Sequence, residues 1–167
     1  IHLLPNKGFD KWNKYISEYI DKDTEIIKGG SQRNISVRNG VKAIISDEGL
    51  VGIHDGVRPF ISIDLISKLF DEAEKEGNAI PFTNSVNSMR KIDGKNNFSV
   101  DRSQYVQIQT PKVFKTKLIK DSLNNIKEDN YTDEASLIEE IGLKINLVKG
   151  EIENIKITTN SDLNYFN

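Results

Sequence analysis

VGIHDGVRPF, residues 51–60, decides how the chain is to be read. Leu50, Val51 and Ile53 make a short apolar run suited to a buried strand, and His54-Asp55-Gly56 breaks it. Arg58-Pro59 bars its continuation as a central strand, because proline brings no N–H to the ladder. Open α/β sheets hold ligands outside the carboxyl ends of their strands. Asp55 therefore stands where a metal-binding carboxylate is expected, and Arg58 where an anion would be met. A local ion pair within the turn accounts for the same two residues, and this segment alone leaves both readings open.

Outward from this strand, helical and strand-like periods alternate. Trp12, Ile16, Tyr19 and Ile20 share one stripe of an amphipathic helix over 9–20. Residues 25–28 read as a short strand ending at Gly29-Gly30, and Val37, Val41, Ile44 and Ile45 define the next helix, with Asn34 as its N-cap. Ser62 caps a helix carrying Ile63, Ile66, Leu69, Phe70 and Ala73; residues 79–82 are strand-like, and 105–110 alternate. Leu118, Ile119, Leu123 and Ile126 mark another helix. Thr132-Asp133 opens one with Leu137, Ile138 and Ile141, closed by Gly142. Residues 145–148 and 154–157 read as the last strands, and Ser161 or Asp162 starts a final helix. This alternation predicts an α/β fold with a Rossmann-like, mostly parallel sheet.

Residues 83–103 do not fit a compact layer. They are mostly polar, yet Asp93-Gly94 is a type I′ hairpin signal flanked by 89–92 and 97–100. A projecting β-arm is expected, and because a lone hairpin is marginal in water, a partner subunit is the expected cover.

The 167 residues suit one domain, 1–167, with 37% apolar and 29% charged residues, proportions that set disorder aside. A net charge of −2 excludes a dedicated nucleic-acid binder. Zero cysteines exclude a disulfide framework and a thiolate zinc site and suit a reducing cytoplasm. Ile1-His2-Leu3-Leu4 reads as the tail of a strand whose earlier part is missing, so an N-terminally incomplete domain is expected.

Phosphate chemistry is the common denominator of the remaining charged residues. Gly29-Gly30-Ser31-Gln32-Arg33-Asn34-Ile35-Ser36 is a strand–turn–helix junction whose glycines, helix N-terminus and Arg33 suit a phosphate or nucleotide; a plain tight turn explains it too. Lys156, between Ile155 and Ile157, can neutralise a phosphate or simply face solvent. Tyr131-Thr132-Asp133-Glu134 offers a hydroxyl and carboxylates that helix capping explains equally well. Two histidines, His2 and His54, are too scattered for a His-based metal site, and no nucleophile elbow occurs. Arg33, Arg58, Arg102 and Lys156 with Asp55 suit phosphates and a magnesium ion.

GGSQRNISVRNG, HDGVRPFIS, VDRSQYVQIQTPKVF, YTDEASLIEEIG and ENIKITTNSDL, in this order, resemble the 2-C-methyl-D-erythritol 4-phosphate cytidylyltransferases along nearly the whole chain. The resemblance implies a nucleotidyltransferase that joins CTP and methylerythritol phosphate with Mg²⁺ and works as a homodimer with exchanged β-arms in the cytoplasm. It implies Gly30, Ser31, Arg33, Ser36 and Gly56 at the CTP, and Asp55 at the metal. Thr110, Thr132 and Lys156 would meet the polyol phosphate, joined by Arg58, Ser85 and Arg102 from the partner, with Arg102 and Lys156 as the catalytic pair. Family members open with a strand and a Gly-rich loop bearing an Arg and a Pro-Lys pair, which this sequence does not contain, so the 167 residues alone are expected to be inactive. The arm reads Thr83-Asn84-Ser85-Val86-Asn87 where many members carry T-D-T-I-K, and Ser31 replaces an acidic or small residue. A ribitol-5-phosphate cytidylyltransferase shares the HDxVRPF-like block, and a non-catalytic nucleotide-binding or assembly domain is the reading from another class. TDEAS and the VDRS…QTPKVF spacing favour the methylerythritol enzymes.

Overall fold

A computed structural model gives the structure of residues 1–125, 131 and 133–166. Ile126 and Thr132, assigned above to a helical stripe and to the substrate, lie outside these residues. The elements run β1 (His2–Leu4), α1 (Phe9–Ile16), β2 (Ile26–Lys28), α2 (Arg33–Ala43), β3 (Leu50–Ile53), α3 (Ile63–Glu76) and β4 (Asn78–Asn84). They continue with β5 (Arg90–Asp93), β6 (Asn96–Ser99), β7 (Val106–Ile108), β8 (Lys112–Lys115), α4 (Thr116–Asn125), α5 (Glu134–Glu140) and β9 (Leu147–Lys149). Tight 3-10 turns occupy Arg102–Gln104 and Asn160–Phe166. No described helix is long and apolar enough to cross a membrane.

The α/β expectation holds, and the strands pair in both senses. Two compact units divide the chain: Ile1–Gly49 with Lys115–Lys144, and Leu50–Phe114 with Ile145–Asn167. In the first, β1 and β2 pair in parallel with His2 opposite Ile26, and α2 lies against both strands. Helices α2 and α4 meet, as do α4 and α5, burying Val37, Val41, Ile119, Leu123, Leu137 and Ile138. Val37 with Val41 and Ile119 with Leu123 are i, i+4 pairs, the spacing that places apolar side chains on one helical face.

In the second unit β4 is the central strand. It pairs antiparallel with β8 and β7 and parallel with β9, and β3 borders β8. Ala79 and Ile80 are fully buried, as are Val113 and Phe114 of β8. Helix α3 covers this sheet through Leu65, Leu69 and Ala73, which cluster with Ala79, Val113 and Val148. Ser62 begins α3 as its sequence promised: the hydroxyl accepts from the Leu65 N–H at 3.0 Å and donates to Glu151 at 2.6 Å.

Several expectations are corrected. Helix α1 is shorter than the 9–20 stripe, ending at Ile16. Helix α2 is capped by Gln32, not Asn34, and stops at Ala43. Ile44 turns to an extended conformation and Ile45 is 99% exposed, because Lys120 takes the carbonyls of Ile45 and Ser46 at 3.3 and 2.9 Å and the Asp47 carboxylate at 2.7 Å. Strand β8 is embedded in the QTPKVF block that the sequence reading left unassigned. Residues 154–157 form no strand: Ile157 N–H bonds the Val57 carbonyl at 2.8 Å and Ile155 N–H bonds Glu153. The alternation there survives, with Ile155 and Ile157 half-buried and Lys156 exposed, but without a ladder.

The hairpin over residues 83–103 is present as β5 and β6, with Asp93 opposite Asn96. The central residues are therefore Gly94 and Lys95, one position later than the Asp93-Gly94 signal. Gly94 has φ +58° and no described non-glycine residue, Lys95 included, has positive φ, which is the type II′ pattern rather than I′. Every residue of β5 and β6 is exposed, and Val86, Ile92 and Phe98 present apolar surface.

Replacing Ser62 by alanine removes both the cap of α3 and its tie to Glu151. The expected loss is about 1 kcal/mol of unfolding free energy in urea titration, with the helix otherwise retained.

Candidate active site

Each unit carries its own group of candidate residues. In the first, the Gly29–Ser36 junction is tightened by one hydroxyl. Ser36 Oγ accepts the Gly30 N–H at 2.9 Å and donates to the Gln32 carbonyl at 3.0 Å. Gly30 has no room for a side chain, since a Cβ there would run into the Ile35 side chain. Ser31 is exposed. Arg33 opens α2 and grips the Glu134 carboxylate through a short Nη1–Oε1 contact, with Nη2 3.5 Å from Oε2. Glu134 is wholly buried while Arg33 keeps 41% of its side chain exposed.

In the second unit the HDGVR turn and the 154–157 segment converge. Arg58 N–H closes the turn on the Asp55 carbonyl at 3.0 Å. The Asp55 N–H donates to Thr110 Oγ1 at 3.0 Å, and that hydroxyl lies 3.1 Å from His54 Nδ1. His54 Nε2 lies 3.1 Å from the Arg58 carbonyl, which can only accept. Neutral His54 is therefore the Nε2–H tautomer, and the Thr110 hydroxyl donates to Nδ1. The Lys156 ammonium sits 2.9 Å from Asp55 Oδ2, with Asp55 14% exposed and Lys156 42%. Gly56 is exposed beside Asp55, with open space around its Cα.

A buried amide holds this cluster together. Asn154 Nδ2 donates to the Thr110 carbonyl at 2.9 Å, and the Asn154 carbonyl accepts from Arg58 Nη1 at 2.7 Å and Gln109 Nε2 at 3.2 Å. Gln109 Nε2 also reaches the Glu151 carbonyl at 2.7 Å. Burial lowers the pKa of the Arg58 guanidinium from its ordinary value, and the nearby Asp55 charge opposes that shift. Among the described residues Arg58 Nε and Asn154 Oδ1 are buried without a hydrogen-bond partner.

Ser85 and Arg102 are turned toward the arm. Ser85, largely buried, donates to the Asn87 carbonyl at 3.3 Å, and Arg102 Nη1 makes a short bond to the Val86 carbonyl. Their hydrogen bonds run within residues 83–103 and not to the Asp55 cluster. The second unit thus brings Asp55, Arg58, Thr110 and Lys156 together and leaves Ser85 and Arg102 apart from them.

The family model for 2-C-methyl-D-erythritol 4-phosphate cytidylyltransferases matches residues 4–166. The chain belongs to this family. A 2-C-methyl-D-erythritol 4-phosphate cytidylyltransferase of Bacteroides thetaiotaomicron is 36% identical over 98% of this chain and 74% of its own length. One of Bacteroides fragilis is 39% identical over the same shares, 98% and 74%. Among solved structures, the 4-diphosphocytidyl-2C-methyl-D-erythritol synthase of Anaerococcus prevotii aligns with a TM-score of 0.83 at 30% identity, over 98% of this chain and 74% of that one.

In this cytidylyltransferase chain the donor set bears on how a magnesium ion would be held. No three His, Cys, Asp or Glu side chains gather among the described residues to cage a metal. Magnesium keeps several waters and is commonly held by one or two carboxylates together with substrate phosphates. Asp55, partly exposed and beside a lysine that can exchange its partner, fits that mode. Sequence reading missed the supporting residues: His54, set aside as a metal ligand, orients Thr110; Gln109 and Asn154 are polar residues whose burial no periodicity announces. The only available signal for Asn154 was its place directly before the Ile-Lys-Ile alternation.

Asn154→Ala strips the Thr110 carbonyl of its buried donor. It is expected to cost about 2 kcal/mol in urea unfolding, because a desolvated acceptor is left unpaired.

Proposed function

We propose that the protein transfers the cytidylyl group of CTP to 2-C-methyl-D-erythritol 4-phosphate in the non-mevalonate route to isoprenoids. A phosphate oxygen of the polyol phosphate attacks the α-phosphorus of CTP, the bond from that phosphorus to the β-phosphate oxygen breaks, and diphosphate leaves. The product is 4-diphosphocytidyl-2-C-methyl-D-erythritol. No general base is required, since the nucleophile is already anionic. The observation that carries the reading is the gathering of Asp55, Arg58, Thr110 and Lys156 around Asn154 in a chain of this family.

In this reading Gly30, Ser31, Arg33, Ser36 and Gly56 line the CTP, with the closed turn at Gly30 giving the nucleotide close access to backbone. Thr110, Thr132 and Lys156 receive the polyol phosphate. Lys156 exchanges its carboxylate partner for the attacking phosphate and, with Arg102, aligns it for in-line displacement while neutralising its charge. Asp55 holds Mg²⁺, which supplies neutralising charge to the phosphates when bound. The exposed arm meets a second copy of the chain, an arrangement supported by Val86, Ile92 and Phe98 on a hairpin too small to stand alone. Arg58, Ser85 and Arg102 would then serve the substrate bound to the partner. A reducing cytoplasm is the compartment we propose.

The direct test supplies full-length protein with CTP, Mg²⁺ and either methylerythritol phosphate or ribitol 5-phosphate, and measures diphosphate. Release with the first and not the second is expected; release with neither removes the proposal. Lys156→Ala and Arg102→Ala are each expected to lower kcat/KM by about a hundredfold while the thermal midpoint moves little. A midpoint loss in proportion to activity would make these residues structural. Asp55→Asn should raise the magnesium concentration for half-maximal rate by at least about tenfold, read from a Mg²⁺ titration of diphosphate release.

A further inference from the structure

Tyr131 and Glu134 hold the start of α2, beside the Gly29-Gly30 turn, by two separate grips. The buried Glu134 carboxylate takes the Arg33 guanidinium in a fork, and the Tyr131 hydroxyl donates at 2.8 Å to the carbonyl of the adjacent residue, Asn34. Asp133, whose carboxylate accepts the Ala135 N–H at 2.6 Å, caps α5 and thereby sets Glu134 as its first residue. The two grips fall on consecutive positions of α2 and come from one short segment.

The placement of Arg33 is the informative part. It is the first residue of α2, a helix whose first turn holds no acidic residue. The positive end of the helix dipole disfavours a cation there. Retaining one requires an offset, and here the offset is a carboxylate withdrawn completely from water. As a device for stability alone this is poor, because withdrawing the carboxylate from water carries a desolvation cost that the pairing must first offset. It does achieve a fixed guanidinium beside a helix N-terminus, with part of its side chain still open to solvent. Cation and helix N–H groups together suit phosphate oxygens.

The geometry points to Glu134, braced by Tyr131, as a positioning residue that presents Arg33 to the phosphates of CTP. This rests on the cytidylyltransferase reading above, and it adds a role for a side chain that does not itself touch the nucleotide. In this role Glu134 acts through Arg33.

The experiment is a double-variant cycle in the full-length protein, following diphosphate release with CTP varied at saturating methylerythritol phosphate. Glu134→Gln is expected to raise the KM for CTP about tenfold with kcat within about threefold of the parent. Arg33→Ala is expected to raise it similarly, and Glu134→Gln in the Arg33→Ala background to add no more than about twofold. Tyr131→Phe should give a smaller rise in the same constant. A Glu134→Gln protein that loses thermal stability with an unchanged KM for CTP overturns the inference, as do effects of Glu134 and Arg33 that multiply in the double variant. Should Glu134→Gln not fold by circular dichroism, Glu134→Asp, which keeps the charge but shortens its reach, is held to the same criteria. A parent protein that releases no diphosphate overturns the function and this role together; an active parent with an unresponsive Glu134 variant overturns this role alone.

Discussion

The Asn154 amide is the constraint on which the second unit's chemistry depends. It is fully buried, so its polar groups depend on protein: Nδ2 and the main-chain carbonyl find partners from distant parts of the sequence, while Oδ1 is left unpaired. Its side chain holds the backbone of Thr110 and its carbonyl receives Arg58. Two residues further on, Lys156 emerges toward Asp55. The HDGVR turn, the end of the 105–110 segment and the 154–157 segment are thereby tied to one point, and the charged side chains are gathered as a consequence of that tie.

The first unit follows the same logic with a charge in place of an amide. Glu134 is buried and needs a cation, and Arg33 provides it from a helix terminus where a cation would otherwise be disfavoured. In both units a buried polar group from late in the chain fixes a positively charged group from earlier in it, the exposed Arg33 in one and the half-buried Arg58 in the other. Such arrangements specify one conformation, because displacing the partner costs the buried member a bond that water cannot replace. They also rely on contacts far apart in sequence, which no local rule contains.

What was legible along the chain was periodic or carried by residue type. Ile63, Ile66, Leu69, Phe70 and Ala73 pointed to α3, although Ile63 is exposed and Leu65 buried in its place; Ser62 gave its start, and Gly94 gave a hairpin, displaced by one residue because the chain took a II′ rather than an I′ turn. The Ile-Lys-Ile alternation at 155–157 sorted inside from outside correctly but did not make a strand, since alternation reports facing and not whether a neighbour's edge is available. Ile44 and Ile45 matched the stripe of α2 and still left the helix, because Lys120 binds the carbonyls at that point.

By itself the sequence determined the class of fold, the family and a set of residue types suited to phosphate: arginines, a lysine, one carboxylate after a buried strand, and a glycine turn before a helix. These follow from local propensity, from periodicity and from motif order, all of which are properties of neighbours along the chain. Tertiary structure alone decided that Thr110 is oriented by His54, that Asn154 joins Arg58 to Thr110, that Lys156 pairs with Asp55, and that Arg33 is held by Glu134. Those pairings depend on burial, which turns an ordinary polar side chain into one that must find a partner, and burial is set only when the chain closes on itself.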